Sequence, residues 1–320
     1  MPVSRRRYLN IAVIVLVLAA GIAAILHSRP SRETGATAAS KPGVVTGPPI
    51  HAQPDPAAIA LLSKRFKPIV PGTLTVATVA GALPLGDYAA DSKTLIGVEP
   101  DIAQLVADAL GLRLNLVPVA WADWPLGLES GKYDAAIANI TVTEERKKKF
   151  DFSSYRHDLL GIYTRSDGPI KAITGPTDVA GLKVAIGAST NQDQILRHWD
   201  AQNVAAGLKP VEFQYFDDSV VGRLAVITGR ADVSFEPNAT GAWAARDGRV
   251  RRVGLFPGGW PKAAAISVTT RKGSGLAEAV TQALNSQIEA GTYAQVLARW
   301  NLGEEAVPRS ETNPAGLADL

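Results

Sequence analysis

The sequence predicts an α/β protein of two lobes, each with a β-sheet flanked by helices, joined by a two-strand hinge. Two observations lead to this prediction. Short β-branched runs alternate with helical periodicity between residues 73 and 235, an order that produces parallel strands with right-handed crossovers. The same strand–helix plan also occurs twice, followed by a late strand and two late helices. If these late elements return to the first lobe, the chain crosses between the lobes twice and leaves a cleft.

The first lobe is predicted to begin after a short helix at residues 57–66. Its strands are predicted at residues 73–79, 113–119 and 134–140. Its helices are predicted at residues 100–110, where apolar residues recur on one face, and 124–129, which end at a Ser-Gly pair. Thr143 predicts the N-cap of a further helix, with Glu144 and Glu145 in a first turn that favours negative charge.

The second lobe repeats this plan. Its strands are predicted at residues 182–187, 211–215 and 231–235, and its helices at residues 191–199 and 219–228. The late elements are a strand at residues 262–270 and helices at residues 276–289 and 294–300. We therefore assign residues 72–166 and 262–302 to lobe 1, and residues 167–261 to lobe 2.

Three segments outside the lobes have compositions of their own. A basic stretch with Arg5, Arg6 and Arg7 precedes an apolar run, so residues 1–27 predict an export signal or an N-terminal anchor. The basic stretch resembles a twin-arginine signal, with the general secretory route as the alternative. Residues 28–57, rich in Pro, Gly, Ala, Ser and Thr, predict a flexible linker. Residues 303–320 predict a peripheral C-terminal tail.

Composition narrows the functional classes. Of the 320 residues, 46% are hydrophobic and 20% are charged, and the formal net charge of +3 is too small to predict nucleic-acid binding. The chain contains no cysteine, which excludes disulfides, thiolate metal sites and a cysteine nucleophile. The four histidines are scattered without a zinc spacing. We therefore predict no metal site and no cofactor.

Three stretches of the sequence share a pattern. The longest runs from Leu128 to Ser153 and contains Asn139-Ile140-Thr141-Val142-Thr143-Glu144-Glu145-Arg146. The other two are residues 96–103 and residues 181–190, with Gly229-Arg230-Ala231-Asp232-Val233 further on. Together they resemble the polar amino-acid-binding family, family 3, of bacterial periplasmic solute-binding proteins. The resemblance implies a type II periplasmic-binding-protein fold whose two α/β lobes close on a small solute.

A carboxylate site is predicted where the third strand ends. Residues 139–141 lie at the carboxyl edge of the sheet, where open α/β sheets bind ligands, and a helix N-terminus with free N–H groups follows. Arg146 can hold a carboxylate through two parallel hydrogen bonds, which lysine cannot reproduce. The resemblance implies that the backbone of Asn139 and the side chains of Thr141 and Arg146 bind it. The alternative is that Thr141 caps locally and Arg146 pairs with a surface carboxylate.

The resemblance adds four further positions. Trp121 falls where the family often places an aromatic ring against the ligand, with a core tryptophan as the alternative. Thr190 and Asn191 open a helix where the family closes on the carboxylate, with simple N-capping as the alternative. Ser189 replaces the glycine that is usual there, and its Cβ hinders a close backbone approach.

The expected partner of a ligand ammonium is absent. Relatives that bind α-amino acids usually carry an aspartate where this chain has Pro237. Glu236 is the candidate replacement, or else a solvated loop residue. Val79 and Ala82 stand where the family often has an acidic residue and an aromatic residue. We therefore expect no preference for a cationic side chain, and predict a small carboxylate ligand, an amino acid or a close analogue.

Three functions follow from these residues. The leading prediction is a monomeric, extracytoplasmic binding protein that closes on its solute, docks on an inner-membrane ABC permease and catalyses no reaction. The second is a periplasmic enzyme on the same scaffold, similar to cyclohexadienyl dehydratases, with Glu236 or His157 as general acid or base. The third is a ligand-sensing domain that signals to a membrane partner.

Overall fold

The computed structural model of the protein describes residues 47–62 and 66–318. The predicted export signal or anchor at residues 1–27 lies outside these residues, as does most of the predicted linker at residues 28–57. Within the described ranges, no helix is both long enough and apolar enough to cross a membrane.

The structure contains the predicted strands and helices and adds others, among them strands at residues 150–157, 159–165 and 250–257 and a helix at residues 238–245. The helices are α1 (Pro56–Leu61), α2 (Val98–Ala109), α3 (Trp124–Glu129), α4 (Glu144–Lys147), α5 (Asn191–Ala205), α6 (Ser219–Ile227), α7 (Asn238–Ala245), α8 (Ala277–Ala290) and α9 (Thr292–Arg299). The strands are β1 (Thr73–Thr78), β2 (Asp87–Tyr88), β3 (Leu95–Ile96), β4 (Arg113–Pro118), β5 (Ala135–Thr141), β6 (Phe150–His157), β7 (Leu159–Arg165), β8 (Lys183–Ile186), β9 (Glu212–Tyr215), β10 (Val233–Pro237), β11 (Val250–Pro257) and β12 (Ala265–Arg271).

Two five-stranded sheets form the two lobes. The first sheet has the order β4-β1-β5-β12-β6, in which β1 is parallel to β4 and β5 while β12 is antiparallel to β5 and β6. The second has the order β11-β7-β10-β8-β9, in which β8 is parallel to β9 and β10 while β7 is antiparallel to β10 and β11. Each sheet is therefore mixed, because it includes strands that lead into or out of the crossings between lobes.

The chain crosses between the lobes at two adjacent places. The first crossing is Asp158, between β6 of the first sheet and β7 of the second. The second crossing is the segment 258–264 between β11 and β12. Asp158 N–H donates to Ala264 O at 2.9 Å, and Gly258 N–H donates to Asp158 O at 2.8 Å. The two crossings are thus hydrogen-bonded together. The first lies inside the range 72–166 that the sequence assigned to lobe 1, because β6 and β7 were not recognised as strands.

Each lobe has an apolar core, and α7 of the second lobe also packs against the core of the first. In lobe 1, Val106 of α2, Leu284 of α8 and Val296 of α9 pack with buried residues of β1 and β5, so the late helices return to the first sheet. In lobe 2, the Trp199 ring of α5 stacks on Phe235 of β10 with ring centroids 5.7 Å apart. Aromatic stacking of this kind adds to the stabilisation from buried area.

The C-terminal tail is part of lobe 1 and is not peripheral. Ser310 is fully buried and Glu305 is 2% exposed. Ser154 N–H donates to Glu311 O at 3.1 Å, and Asn313 N–H donates to Phe152 O at 2.8 Å, so the tail pairs with β6. β6 is the last strand of its sheet, and an uncovered edge leaves backbone groups without partners. The expectation of a peripheral tail was wrong because edge pairing requires no apolar periodicity.

A buried ionic cluster connects this tail to the hinge. The Arg156 guanidinium of β6 is 1% exposed and donates to Glu99 of α2 at 2.9 Å and to Asn139 Oδ1 at 2.7 Å. It also donates to Glu305. Burial alone disfavours the charged form, yet the carboxylates of Glu305 and Glu99 raise the pKa of Arg156. The cluster therefore holds together β6, α2 and the tail.

The first prediction removes one partner of this cluster. Glu305→Ala leaves a buried guanidinium partly uncompensated, and breaking a buried pair in this way costs about 3 kcal/mol or more. We expect the free energy of unfolding, measured by urea titration, to fall by that amount. The neighbouring, exposed Glu304 is the matched control, because Glu304→Ala removes an acid without touching Arg156. Equal effects of the two substitutions would contradict the role of the cluster.

The second prediction concerns pH. Asp101 of α2 is buried and accepts a hydrogen bond from Trp300 Nε1 at 2.8 Å. Burial raises the pKa of Asp101 above its ordinary value of 3.8, and the Trp300 hydrogen bond and the Arg299 charge offset this only in part. The folded protein therefore binds this proton more tightly than the unfolded chain. Its contribution to stability is present below pH 3.8 and is lost as pH rises through the raised pKa.

Asp101→Asn removes the titration and keeps an acceptor for Trp300. The free energy of unfolding of this variant should therefore increase relative to the wild-type protein as pH rises from about 4 to about 7. Asp91→Asn is the control, because hydrogen bonds to Thr94 lower the pKa of the exposed Asp91 to about 2, so Asp91 does not titrate in this window. A constant difference between Asp101→Asn and wild type across these pH values would refute the argument.

Candidate functional site

The site is built around the end of β5 and the start of α4. Thr141 is the last residue of β5, and Arg146 lies in the short helix that follows. Thr143 Oγ1 accepts the Arg146 N–H at 3.1 Å and caps this helix, as the sequence predicts. Arg146 turns back toward the strand, where its Nη1 donates to Thr141 O at 2.8 Å. Asn139 has a φ of +55°, a left-handed conformation that asparagine tolerates better than most residues.

Two tryptophans flank the guanidinium of Arg146. Its Cζ atom lies 5.7 Å from the ring of Trp121 and 5.8 Å from the ring of Trp124, within the range of a cation–π interaction. Burial lowers the pKa of Arg146 while the charges of Asp158 and Glu145 raise it, and an arginine stays protonated throughout the physiological range. Trp121 is partly exposed beside Arg146, whereas Trp124, which the sequence did not single out, is the core tryptophan.

A buried carboxylate lies between the lobes at this point. Asp158 is 2% exposed, and its Oδ2 accepts from Thr141 Oγ1 of lobe 1 at 2.8 Å and from Asn191 Nδ2 of lobe 2 at 2.9 Å. Burial raises the pKa of Asp158, and the hydrogen bonds and the charges of Arg156 and Arg146 offset this only in part. Thr141 and Asn191 therefore bind one carboxylate, and the charge of Arg146 acts on it.

The start of α5 brings lobe 2 to the same place. Thr190 Oγ1 accepts the Asp193 N–H at 3.3 Å and caps α5, and it donates to Gly187 O at 2.8 Å. Asn191 is the first residue of α5, and its Nδ2 also donates to Gly258 O of the second crossing at 2.7 Å. Ser189 has a φ of +60°, the left-handed region that glycine adopts without strain. Capping by Thr190 and interlobe contact by Asn191 therefore occur together.

Glu236, the candidate partner for a ligand ammonium, is already engaged by other side chains. It lies in β10 and is 4% exposed, so the interpretation as a solvated loop residue is wrong. Its carboxylate pairs with Arg223 of α6 and accepts from Ser234 Oγ at 2.8 Å and from Thr240 Oγ1 at 3.0 Å. All these partners belong to lobe 2. The charge of Glu236 is thus neutralised within its own lobe.

Two N–H groups at the N-terminus of α4 are already hydrogen-bonded. The sequence predicts free N–H groups there, but Glu144 N–H donates to Leu317 O of the C-terminal tail at 2.8 Å, and Arg146 N–H donates to its cap. The tail was expected to be peripheral, so this contact could not be foreseen. The side chain of Arg146, bonded to Thr141 O, supplies the positive charge at this place instead.

The chemistry of the cluster suits an anion. It combines one guanidinium, one hydroxyl and one carboxamide, all of which donate hydrogen bonds. In the described part of the chain, no group of three or more His, Cys, Asp or Glu residues lies close enough together to hold a metal ion. Asp158, the residue on which the donors converge, was missed. Its neighbours in sequence carry no signal, and only the pairing of β6 and β7 in different sheets places it at the crossing.

Comparisons with known proteins identify a family for this chain. Residues 74–304 match the profile of the bacterial extracellular solute-binding proteins, family 3. The L-cystine-binding protein TcyJ of Escherichia coli K12 is 33% identical over 165 residues, which are 50% of this chain and 57% of that protein. The arginine-binding protein ArgT of Corynebacterium glutamicum is 26% identical over 213 residues, 66% of this chain and 68% of that protein. The chain thus spans little more than half of the TcyJ length.

Solved structures give the same picture. An ancestral arginine-binding protein bound to arginine has a TM-score of 0.63 and 28% identity, over 72% of this chain and 98% of that chain. An ancestral amino acid-binding protein, a precursor of cyclohexadienyl dehydratase, has a TM-score of 0.63 and 26% identity, over 72% of this chain and 95% of that chain. The predicted two-lobed fold of the type II periplasmic binding proteins is thereby confirmed. Because the profile extends over most of the sequence, the chain belongs to the bacterial extracellular solute-binding proteins, family 3.

Proposed function

We propose that this protein is the extracytoplasmic binding component of an ABC importer, and that it closes its two lobes on an amino acid or a close analogue. The observation that carries the proposal is that Thr141 of lobe 1 and Asn191 of lobe 2 bind one buried carboxylate, while Arg146 is hydrogen-bonded to Thr141 and adds its charge. Membership of the family and the amino-acid-binding names of TcyJ and ArgT support it.

In this proposal the solute carboxylate connects the two lobes. Arg146 supplies the positive charge and Thr141 a hydroxyl donor, while Asn191, framed by Ser189 and Thr190, approaches from lobe 2. A ligand that binds the closed form better than the open form shifts the population toward closure. The importer then recognises the closed shape, and no bond needs to be made or broken.

The proposed solute is neutral or acidic in its side chain. Trp121 offers an apolar face beside Arg146, and the backbone of Asn139 lies at the strand end. The position of the usual ammonium partner is Pro237, and the adjacent Glu236 is engaged by Arg223. The site therefore offers better recognition of a carboxylate than of an ammonium group, which argues against a strictly cationic solute.

We also propose where the protein works in the cell and how its segments are organised. Residues 1–27 would direct export or anchor the protein, and residues 28–57 would tether the lobes, which would work as a monomer with an inner-membrane permease. We propose the crossing at Asp158 as the boundary between the lobes, in place of residue 166. Family membership supports the extracytoplasmic location.

The enzymatic alternative has less support. Cyclohexadienyl dehydratase of Pseudomonas aeruginosa is 30% identical over 82 residues, only 26% of this chain and 30% of that protein. A general acid or base needs a carboxyl group that can reach a substrate. Glu236 is already bound by Arg223, Ser234 and Thr240, and His157 lies exposed at the end of β6.

The third prediction tests the carboxylate anchor. Arg146→Lys keeps the positive charge and loses the planar pair of donors, so solute affinity should fall roughly 30-fold, about 2 kcal/mol. Arg146→Ala should lose binding altogether without unfolding the protein. The measurement is calorimetric titration with the standard amino acids and L-cystine.

The control uses the same helix turn. Lys148 is exposed beside Arg146, so Lys148→Ala removes a cation without touching the cluster and should leave affinity unchanged. Wild-type affinity in both Arg146 variants would rule out the anchor.

A further inference from the structure

One side chain links both lobes and both crossings. Asp158 Oδ2 accepts from Thr141 in lobe 1 and from Asn191 in lobe 2, at 2.8 and 2.9 Å. Its backbone N–H and C=O are bound to Ala264 and Gly258 of the second crossing. Asp158 therefore lies at the crossing between the two lobes, and its carboxylate bridges one residue of each lobe.

The donors that we propose for a solute carboxylate are already engaged by this residue. Thr141 has one O–H group, and it donates to Asp158. Asn191 has two N–H groups on Nδ2, whose acceptors are Asp158 Oδ2 and Gly258 O. The Arg146 guanidinium acts on the same carboxylate through its charge. A solute carboxylate would therefore find the hydroxyl of Thr141 and the carboxamide of Asn191 already engaged, and would share the charge of Arg146 with Asp158.

Two carboxylates do not fit this site together. A second negative charge beside the buried Asp158 would be repelled at short distance in a poorly solvated place. Charged groups around Asp158 include Arg146 and Arg156 as cations and Glu305 as a further acid. One carboxylate must therefore leave before another can take over the same donors.

We infer that Asp158 is an internal ligand of the carboxylate site: its side chain bridges Thr141 and Asn191 to close the lobes without solute, and the solute carboxylate replaces it. The inference rests on the proposed function and adds a specificity determinant to it. A tethered group competes at a high effective concentration, roughly millimolar or above, so only a solute with further contacts displaces it. Apparent affinity falls accordingly.

Two features fit such an exchange. A Cβ added to Gly258 would lie 2.2 Å from Asp158 Cγ, so glycine at this position makes room for the carboxylate. Burial raises the pKa of Asp158, so the folded protein disfavours the charged form, and release of the side chain into water restores its hydration. The internal ligand is therefore held closely but is not strongly stabilised as an ion.

The fourth prediction is a solute-free experiment. The chain has no cysteine, so cysteines introduced at the exposed positions Ala90 of lobe 1 and Asp217 of lobe 2 can be spin-labelled uniquely. Pulsed electron paramagnetic resonance then measures the distance between the lobes in the full chain, refolded to remove any bound solute. With Asp158 intact, we expect a closed population at a short distance. Asp158→Ala and the isosteric Asp158→Asn should each shift the distribution toward a longer, open distance.

A small carboxylate should reverse this opening. Acetate can occupy the place of the deleted side chain in Asp158→Ala, so it should restore the short distance, whereas uncharged acetamide should not. Asp167→Ala, which removes an exposed acid of lobe 2, is the matched control and should stay closed.

Two results would overturn the inference. One is an Asp158→Ala protein with the same distances as the protein that retains Asp158, and the other is reclosure by acetamide as effective as by acetate. If Asp158→Ala does not fold, Asp158→Asn decides by the same distances. The experiment contains no amino acid. A negative result would therefore overturn the role of Asp158 alone, and the Arg146 titration tests the proposed function separately.

Discussion

A buried carboxylate must find partners, and this requirement organises the centre of the molecule. Asp158 lies where the chain first passes from one sheet to the other, out of reach of solvent. An unpaired charge there would be prohibitively unfavourable. Thr141 of one lobe, Asn191 of the other and the nearby Arg146 and Arg156 meet this requirement together. Thr141 and Asn191, which we propose as solute-binding residues, are therefore also the residues that Asp158 connects across the lobes.

The sequence predicted the parts of the fold that depend on local pattern. The helix 124–129, the cap at Thr143 and the strand that ends near Thr141 follow from apolar periodicity and capping residues, and the structure contains them. Arg146 and Asn191 were singled out by a family resemblance, and both lie at the carboxylate. The mixed character of the sheets was missed because β6 and β7 follow each other with only Asp158 between them, so the sequence shows no helix or loop that separates the two strands.

What the sequence could not predict is long-range pairing. The tail from residue 303 has no apolar periodicity, yet it completes the edge of β6 and supplies Glu305 to Arg156. Glu236 was considered because it stands beside Pro237, but its partner Arg223 lies on a different element and only the packing of α6 on β10 brings them together. Both cases depend on which groups are adjacent in space. Backbone hydrogen bonds and ion pairs between distant residues produce no periodic pattern in the sequence.

Recognition of the solute through its carboxylate can be tested directly. Native mass spectrometry of the protein purified from its own host can identify a retained solute, because closed lobes slow its release. Calorimetry then compares that solute with its carboxamide, which has the same shape and no negative charge. We expect roughly 100-fold weaker binding of the carboxamide, since charge-assisted hydrogen bonds to Arg146, Thr141 and Asn191 are lost. Equal affinity for the two compounds would contradict carboxylate recognition.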